Sequence, residues 1–282
     1  MNCAWDAYMK LVPMRLKHAV DKHGRADLQE LRLRIGRPPE LIIKNGSKWL
    51  EGIVTQDDLN FCINVSSKYS PWTSNTIENG FISAQGGHRV GICGEMNIKE
   101  GKIQSVKTAT SVAIRVARDM PGVSKNAAEV IGSTLIIGSP GTGKTTLMRD
   151  IVRRLSDVCG CTVAVVDERR ELFPVIDGSF YFLPGSRTDV LSGCKKQTGI
   201  ELLIRTMTPQ TIAVDEITAE EDCTALLYAG WCGVRLLATA HAATREDLFR
   251  RKVYAPLLAD GLFDNLIILR PDKSWTLERM KI

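Results

Sequence analysis

Gly138-Ser139-Pro140-Gly141-Thr142-Gly143-Lys144-Thr145 follows the spacing G-x-x-x-x-G-K-[ST], and each residue type in it has a chemical reason. Glycines at 138, 141 and 143 let the backbone turn tightly and bring its N–H groups against phosphate oxygens with no Cβ in the way. A helix that begins directly after them points its positive dipole end at the same anion. In that arrangement the Lys144 ammonium reaches the β- and γ-phosphates of a nucleotide and the Thr145 hydroxyl binds Mg2+. The expected ligands are ATP and Mg2+, held by residues 138–145 together with Thr146.

Two further stretches place acids where such a site needs them. Thr211-Ile212-Ala213-Val214 is an apolar run that ends on Asp215-Glu216, a Walker B pattern. Asp215 is expected in the Mg2+ shell, and Glu216 is expected to polarise the attacking water or accept its proton. Two adjacent buried carboxylates are costly without a cation, which favours a metal site over a structural accident. Thr162 to Val166 is a second apolar run, ending on Asp167-Glu168-Arg169-Arg170-Glu171, with Glu168 a second catalytic candidate. Val234 to Thr239 is a further run with His241 just beyond its end, where a polar side chain can sense a γ-phosphate.

These residues need a parallel sheet to converge, because open parallel sheets gather ligands at the carboxyl ends of their strands. Thr134-Leu135-Ile136-Ile137 reads as a buried strand feeding the Gly-rich loop, and Leu147, Ile151, Val152 and Leu155 recur at helical spacing after it. Leu266–Leu269, a turn at Pro271-Asp272-Lys273 and a strand from Trp275 to Met280 close the chain. Thr244 with Asp247 predicts a capped helix carrying Leu248 and Phe249. The fold class expected for residues 121–282 is therefore α/β, a P-loop NTPase with a RecA- or AAA+-like parallel sheet.

Residues 1–120 read as a smaller, mixed α+β accessory domain. Leu31-Arg32-Leu33-Arg34-Ile35 alternates strictly, and Gly36-Arg37-Pro38-Pro39 separates it from Glu40–Ile43, which predicts a strand pair. Thr55, Asp57 and Asp58 mark a helix start that continues toward Tyr69 and stops at Pro71. Phe81 to Glu95 places two apolar runs around Gly86-Gly87, a hairpin with His88 and Arg89 near its tip. That tip is either a solvated loop or the source of a cation reaching a neighbouring subunit's nucleotide, with Arg89 the catalytic candidate. Ser111 to Ala117 reads as a strand ending in Arg115 and Arg118, the next candidates for that cation, Pro121-Gly122 marks the boundary, and Val123 to Ile131 reads as helical.

Composition bounds the alternatives. The chain has 282 residues, 44% hydrophobic and 24% charged, which is ordinary for a globular protein. The net charge of +5 lies wholly in residues 1–117, with 16 Lys and Arg against 11 Asp and Glu. Such a surplus fits an anionic partner or an ordinary solvated surface. Met1 is not followed by an apolar h-region and no stretch approaches the roughly 20 apolar residues of a membrane span, so neither a signal peptide nor a transmembrane segment is expected. The eight cysteines form no C-x-x-C pair and read as reduced thiols in a cytoplasmic protein.

The alternating arginine stretch, Gly86–Gly91, Ser139–Thr146, Val166–Leu172 and Ala213–Ile217 together resemble the stage III sporulation protein AA family of endospore-forming bacteria, over most of the chain. More distantly, the second half is similar to the secretion and pilus-motor ATPases. That similarity implies a P-loop at Lys144 and Thr145, an aspartate box at Asp167 and Glu168, a Walker B element at Asp215 and Glu216, and a histidine box at His241. The motors usually carry Gly-Glu where this chain has Asp215-Glu216, so that element is closer to the general P-loop pattern. The resemblance implies a homo-oligomeric ring, hexameric, in the mother-cell cytoplasm, peripheral at the membrane through channel proteins of the sporulation complex.

Three functions compete on these residues. The leading one is ATP hydrolysis that drives a secretion-like complex needed for endospore formation. A DNA- or RNA-dependent ATPase is prompted by the basic N-terminal surplus, yet no basic run is interleaved with aromatics to support a nucleic-acid partner. A slow nucleotide-gated scaffold is the third, and Glu216 argues against it, because a pure binder needs no water-positioning acid.

Overall fold

A computed structural model describes residues 3–67, 80–99, 102–125, 132–176 and 178–280. The chain divides into two compact units, Met1–Asp119 and Met120–Ile282.

Unit one is built on a six-stranded sheet ordered Gly46–Trp49, Glu40–Ile43, Leu28–Arg34, Lys102–Arg115, Arg89–Lys99, Phe81–Ser83, with every neighbouring pair antiparallel. The alternation at 31–34 is the reason for its two faces. Leu31 and Leu33 are buried, whereas Arg32 is exposed and pairs with Glu30. The apolar face takes Tyr8, Leu11, Leu59 and Cys62 from the helices Trp5–Leu11 and Gln56–Ser66. The helix begins at Thr55 by a reciprocal cap, in which Thr55 Oγ1 accepts from Asp58 N and Asp58 accepts from Thr55 N. It runs to Ser66; Tyr69 and Pro71, its expected end, lie outside the described residues.

The hairpin expected at 81–95 forms, with Phe81, Ile82 and Ser83 paired to Gly91, Val90 and Arg89. Its tip is not a solvated loop at His88. Gln85–Gly87 make a short 3-10 turn with Gly86 at φ +86°, and this folds His88 inward to full burial. His88 Nδ1 accepts from Ala117 N at 3.0 Å and Nε2 donates to Ala4 O at 2.9 Å. Burial pushes its pKa down to about 4, so the ring is a neutral core group rather than a cation. Arg89 stacks its guanidinium 3.8 Å over the Phe81 ring. Arg118 donates to the carbonyls of Arg25 and Leu28.

Unit two carries a seven-stranded sheet ordered Thr188–Ser192, Val163–Asp167, Thr211–Ile217, Arg235–Ala240, Thr134–Gly138, Asn265–Leu269, Trp275–Arg279. All pairs are parallel except the last. The buried runs Leu135–Ile137, Val163–Val166 and Ile212–Val214 explain the order, since strands covered on both faces are apolar throughout. The strand leading into the Gly-rich loop lies inside the sheet, and the strand that follows it in the chain lies three places away. Loops from several strands therefore meet beside the glycines. Of the helix expected over 123–131, residues 126–131 lie outside the described set, and 121–125 form a turn. The carboxylate of Asp150 accepts from Gly122 N and Ser124 N and holds that turn to the helix Lys144–Asp157.

Candidate functional site

The Gly-rich loop leaves the strand at Gly138 and enters the helix at Lys144. A Cβ at 138 would stand 2.6 Å from Thr142 Oγ1 and 2.9 Å from Leu269 O, so only glycine fits between the strand ends. Gly143 caps the helix at φ +105°, a left-handed conformation that glycine adopts at little cost. Ser139 is half-buried, Pro140 and Gly141 are exposed, and Thr142 is buried with its hydroxyl donating to Ser139 O at 2.9 Å. Thr146 is half-buried in the first helical turn.

Lys144 is folded back onto this loop. Its ammonium donates to Gly138 O at 2.8 Å and Ser139 O at 3.1 Å, and lies 3.2 Å from His241 Nδ1. Burial lowers its pKa, a cost that the charges of Asp215 and Glu216 oppose. An ammonium can only donate, so Nδ1 of His241 accepts and its Nε2 carries the proton. That Nε2 lies 2.5 Å from Glu216 Oε1. One imidazole thus joins the loop lysine to the glutamate.

Asp215 is held from two sides. Thr145 Oγ1 donates to its Oδ2 at 2.8 Å, and Thr239 Oγ1 donates to its Oδ1 at 2.5 Å. The next residue, Glu216, has φ +59°, which costs a non-glycine residue about 1–2 kcal/mol. The cause is a bulge: the register with the neighbouring strand steps from Val214–Ala238 to Ile217–Ala240, leaving one extra residue. Glu216 N is taken from the ladder and donates instead to Thr239 Oγ1 at 2.7 Å. The bulge re-aims the Glu216 side chain toward His241 and Arg169, both of which it binds. Its carboxyl is raised by burial, but the His241 hydrogen bond and the Arg169 charge outweigh this and hold it below the usual carboxylate range.

Asp167 and Glu168 diverge. The carboxylate of Asp167 is buried and accepts three backbone N–H bonds, from Glu171, Leu172 and Phe173 at 2.8, 3.1 and 2.9 Å. Glu168 pairs instead with Lys196 at 2.7 Å, a buried lysine that also lies 3.5 Å from Asp222. Among the sequence candidates of this unit, Thr145 contacts Asp215, Lys144 reaches Glu216 through His241, and Glu168 stands on a separate ion-pair network.

Four residues at or near the site escaped the sequence reading. Arg169 pairs with Glu216, Thr239 braces Asp215, Lys196 neutralises Glu168, and Lys273 donates to Gly141 O at 2.5 Å from the last turn. Arg169 and Thr239 had a signal, the first in its place in a charged run at a strand's carboxyl end, the second as a polar residue closing an apolar strand.

The donor set fits a magnesium nucleotide. Thr145 Oγ1 and the Asp215 carboxylate are hard oxygens 2.8 Å apart, and Mg2+ takes one or two protein oxygens with water completing its shell. The loop supplies the backbone cradle that the packing at Gly138 preserves.

The family model for sporulation stage III, protein AA matches residues 8–277. Stage III sporulation protein AA of Bacillus subtilis (strain 168) is 33% identical over 273 residues, covering 92% of this chain and 89% of that protein. Among solved structures, the ATPase DotB of Legionella pneumophila superposes with a TM-score of 0.63 at 17% identity, covering 95% of this chain and 80% of that one. The pilus retraction motor PilT with bound ADP also gives 0.63, at 16% identity, covering 90% of this chain and 77% of that one. These likenesses establish the α/β fold of a P-loop NTPase. Among the described residues, no helix is long and apolar enough to cross a membrane.

Proposed function

Since the chain belongs to the stage III sporulation protein AA family, we propose that it is an ATP-hydrolysing motor of a secretion-like channel complex needed for endospore formation. The observation that carries this reading is the joined set of Thr145 on Asp215 and of Lys144, through His241, on Glu216. A nucleotide binder needs the first pair. Only an enzyme has use for a strained glutamate placed beside it.

In this reading the loop backbone and Lys144 bind the β- and γ-phosphates, with Lys144 leaving the carbonyls of Gly138 and Ser139 for the stronger anion. Thr145 and Asp215 hold Mg2+, which neutralises charge on the phosphate oxygens. Glu216 orients and deprotonates the attacking water, and His241 fixes the carboxylate through Oε1, so that Oε2, paired with Arg169 in this structure, faces the water once that pair opens. The protein works as a homo-oligomeric ring, a hexamer, in the mother-cell cytoplasm, and channel proteins of the sporulation complex supply its membrane contact. Arg89 of a neighbouring copy is the first choice for a cation that completes each site.

The test measures mass and ATP turnover on one sample, with and without nucleotide and Mg2+. The expected result is Mg2+-dependent hydrolysis by a ring, lost in Lys144→Ala and reduced roughly 10²- to 10⁴-fold in Glu216→Gln while binding persists. Full turnover in Glu216→Gln would move the base elsewhere, with Glu168 next in order.

A further inference from the structure

We propose that Arg169 is the γ-phosphate-recognising cation of its own subunit, held on Glu216 until a triphosphate takes it away; this rests on the ATPase reading above. Arg169, Glu216, His241 and Lys144 form one unbroken line of contacts with a cation at each end. A phosphate chain gripped by Lys144 at one end of that line brings its terminal group toward the other.

The loop that carries Arg169 is well placed for this. Its base is fixed by Asp167, which binds the backbone at 171–173, while the Arg169 side chain is 51% exposed. A guanidinium binds a carboxylate or a phosphate with the same planar fork. Glu216 offers one negative charge, whereas a terminal phosphate offers about two and more acceptor oxygens. The exchange therefore favours the triphosphate, and a diphosphate, lacking that group, leaves the Arg169–Glu216 pair closed.

Arg169 would thereby discriminate ATP from ADP, since only the triphosphate offers the group that draws it off Glu216.

The experiment titrates ADP and the non-hydrolysable imidodiphosphate analogue of ATP, each with Mg2+, into the full chain by calorimetry. Wild type is compared with Arg169→Ala and with Arg169→Gln, which preserves most of the side-chain length. The expected result is a loss of roughly 10- to 100-fold in affinity for the analogue, the worth of one charge-assisted contact, with ADP affinity held within about twofold. Retained ADP binding also reports that the variant is folded. Equal losses for both nucleotides, or none for either, would overturn the inference. If wild type binds neither nucleotide, the ATPase reading itself has failed; if wild type binds both and the variants keep its discrimination, only the role of Arg169 falls.

Discussion

Nε2 of His241 lies 2.5 Å from Oε1 of Glu216, and the other nitrogen of the same ring faces the ammonium of Lys144. The ring can satisfy both neighbours only as the tautomer protonated on Nε2. That makes the imidazole a rigid spacer between Lys144 and Glu216.

Replacing His241 by Ala removes a hydrogen bond that holds the Glu216 carboxyl below its ordinary value. Burial, which alone pushes that carboxyl upward, then meets less opposition, so its pKa rises. The base form exists above that pKa, and the acid limb of the pH profile of kcat must therefore move to higher pH. An unmoved acid limb, with only a uniform drop in rate, would show that His241 does not act through Glu216.

The left-handed backbone at Glu216 separates stability from catalysis. Glu216→Ala and Glu216→Gly both delete the carboxylate, but only glycine relieves φ +59°. The glycine variant should be more stable than the alanine variant by about 1 kcal/mol in urea melts, and both should lack hydrolysis. Equal stabilities would mean that the strain is relaxed once the side chain is gone.

Asp167 has a different fate. Its carboxylate accepts three backbone N–H bonds, and an amide in its place would turn an N–H2 toward one of those donors. Asp167→Asn should therefore destabilise the protein by about 1–3 kcal/mol in urea melts. Because Asp167 also anchors the loop that bears Arg169, its loss should weaken binding of the ATP analogue more than of ADP. A variant as stable as wild type would return Asp167 to the list of chemical groups.

The contrast between Asp167 and Glu216 shows what the sequence made legible. Apolar runs ending on acids announced the strands Val163–Asp167 and Thr211–Ile217, and the sheet order then put both ends on one edge. Which acid does chemistry was not legible, because that depends on whether backbone N–H groups or side chains reach it. The bulge at Glu216 has no residue signature: Ile217 continues the apolar pattern, and the extra position is set by the hydroxyl of Thr239 on a neighbouring strand. His88 was misread for a related reason. A Gly-Gly turn predicts a tip, but it does not predict that a short 3-10 turn rolls the next residue beneath the helix Trp5–Leu11. Lys196 and Lys273 reach their partners across 28 and 132 positions of sequence, beyond any local pattern.

The last expectation concerns which arginine belongs to which subunit. Arg169 contacts Glu216 within one chain, and Arg89, over Phe81, is the candidate to act on a neighbour's site. Subunits carrying Lys144→Ala are mixed with subunits carrying either Arg169→Ala or Arg89→Ala, each inactive alone. If Arg169 serves its own Lys144, every site in the first mixture lacks one of the two, and no activity returns. If Arg89 serves the neighbour's Lys144, some interfaces in the second mixture join an intact lysine to an intact arginine. In a ring mixed randomly from equal amounts about a quarter of the interfaces do so, and activity should recover toward that fraction if each site fires independently. Recovery with Arg169→Ala would place that arginine across the interface and reverse the assignment. Full activity of Arg89→Ala alone would remove Arg89 from the site and pass the trans role to Arg115 and Arg118, the next candidates, with the assignment of Arg169 to its own subunit untouched.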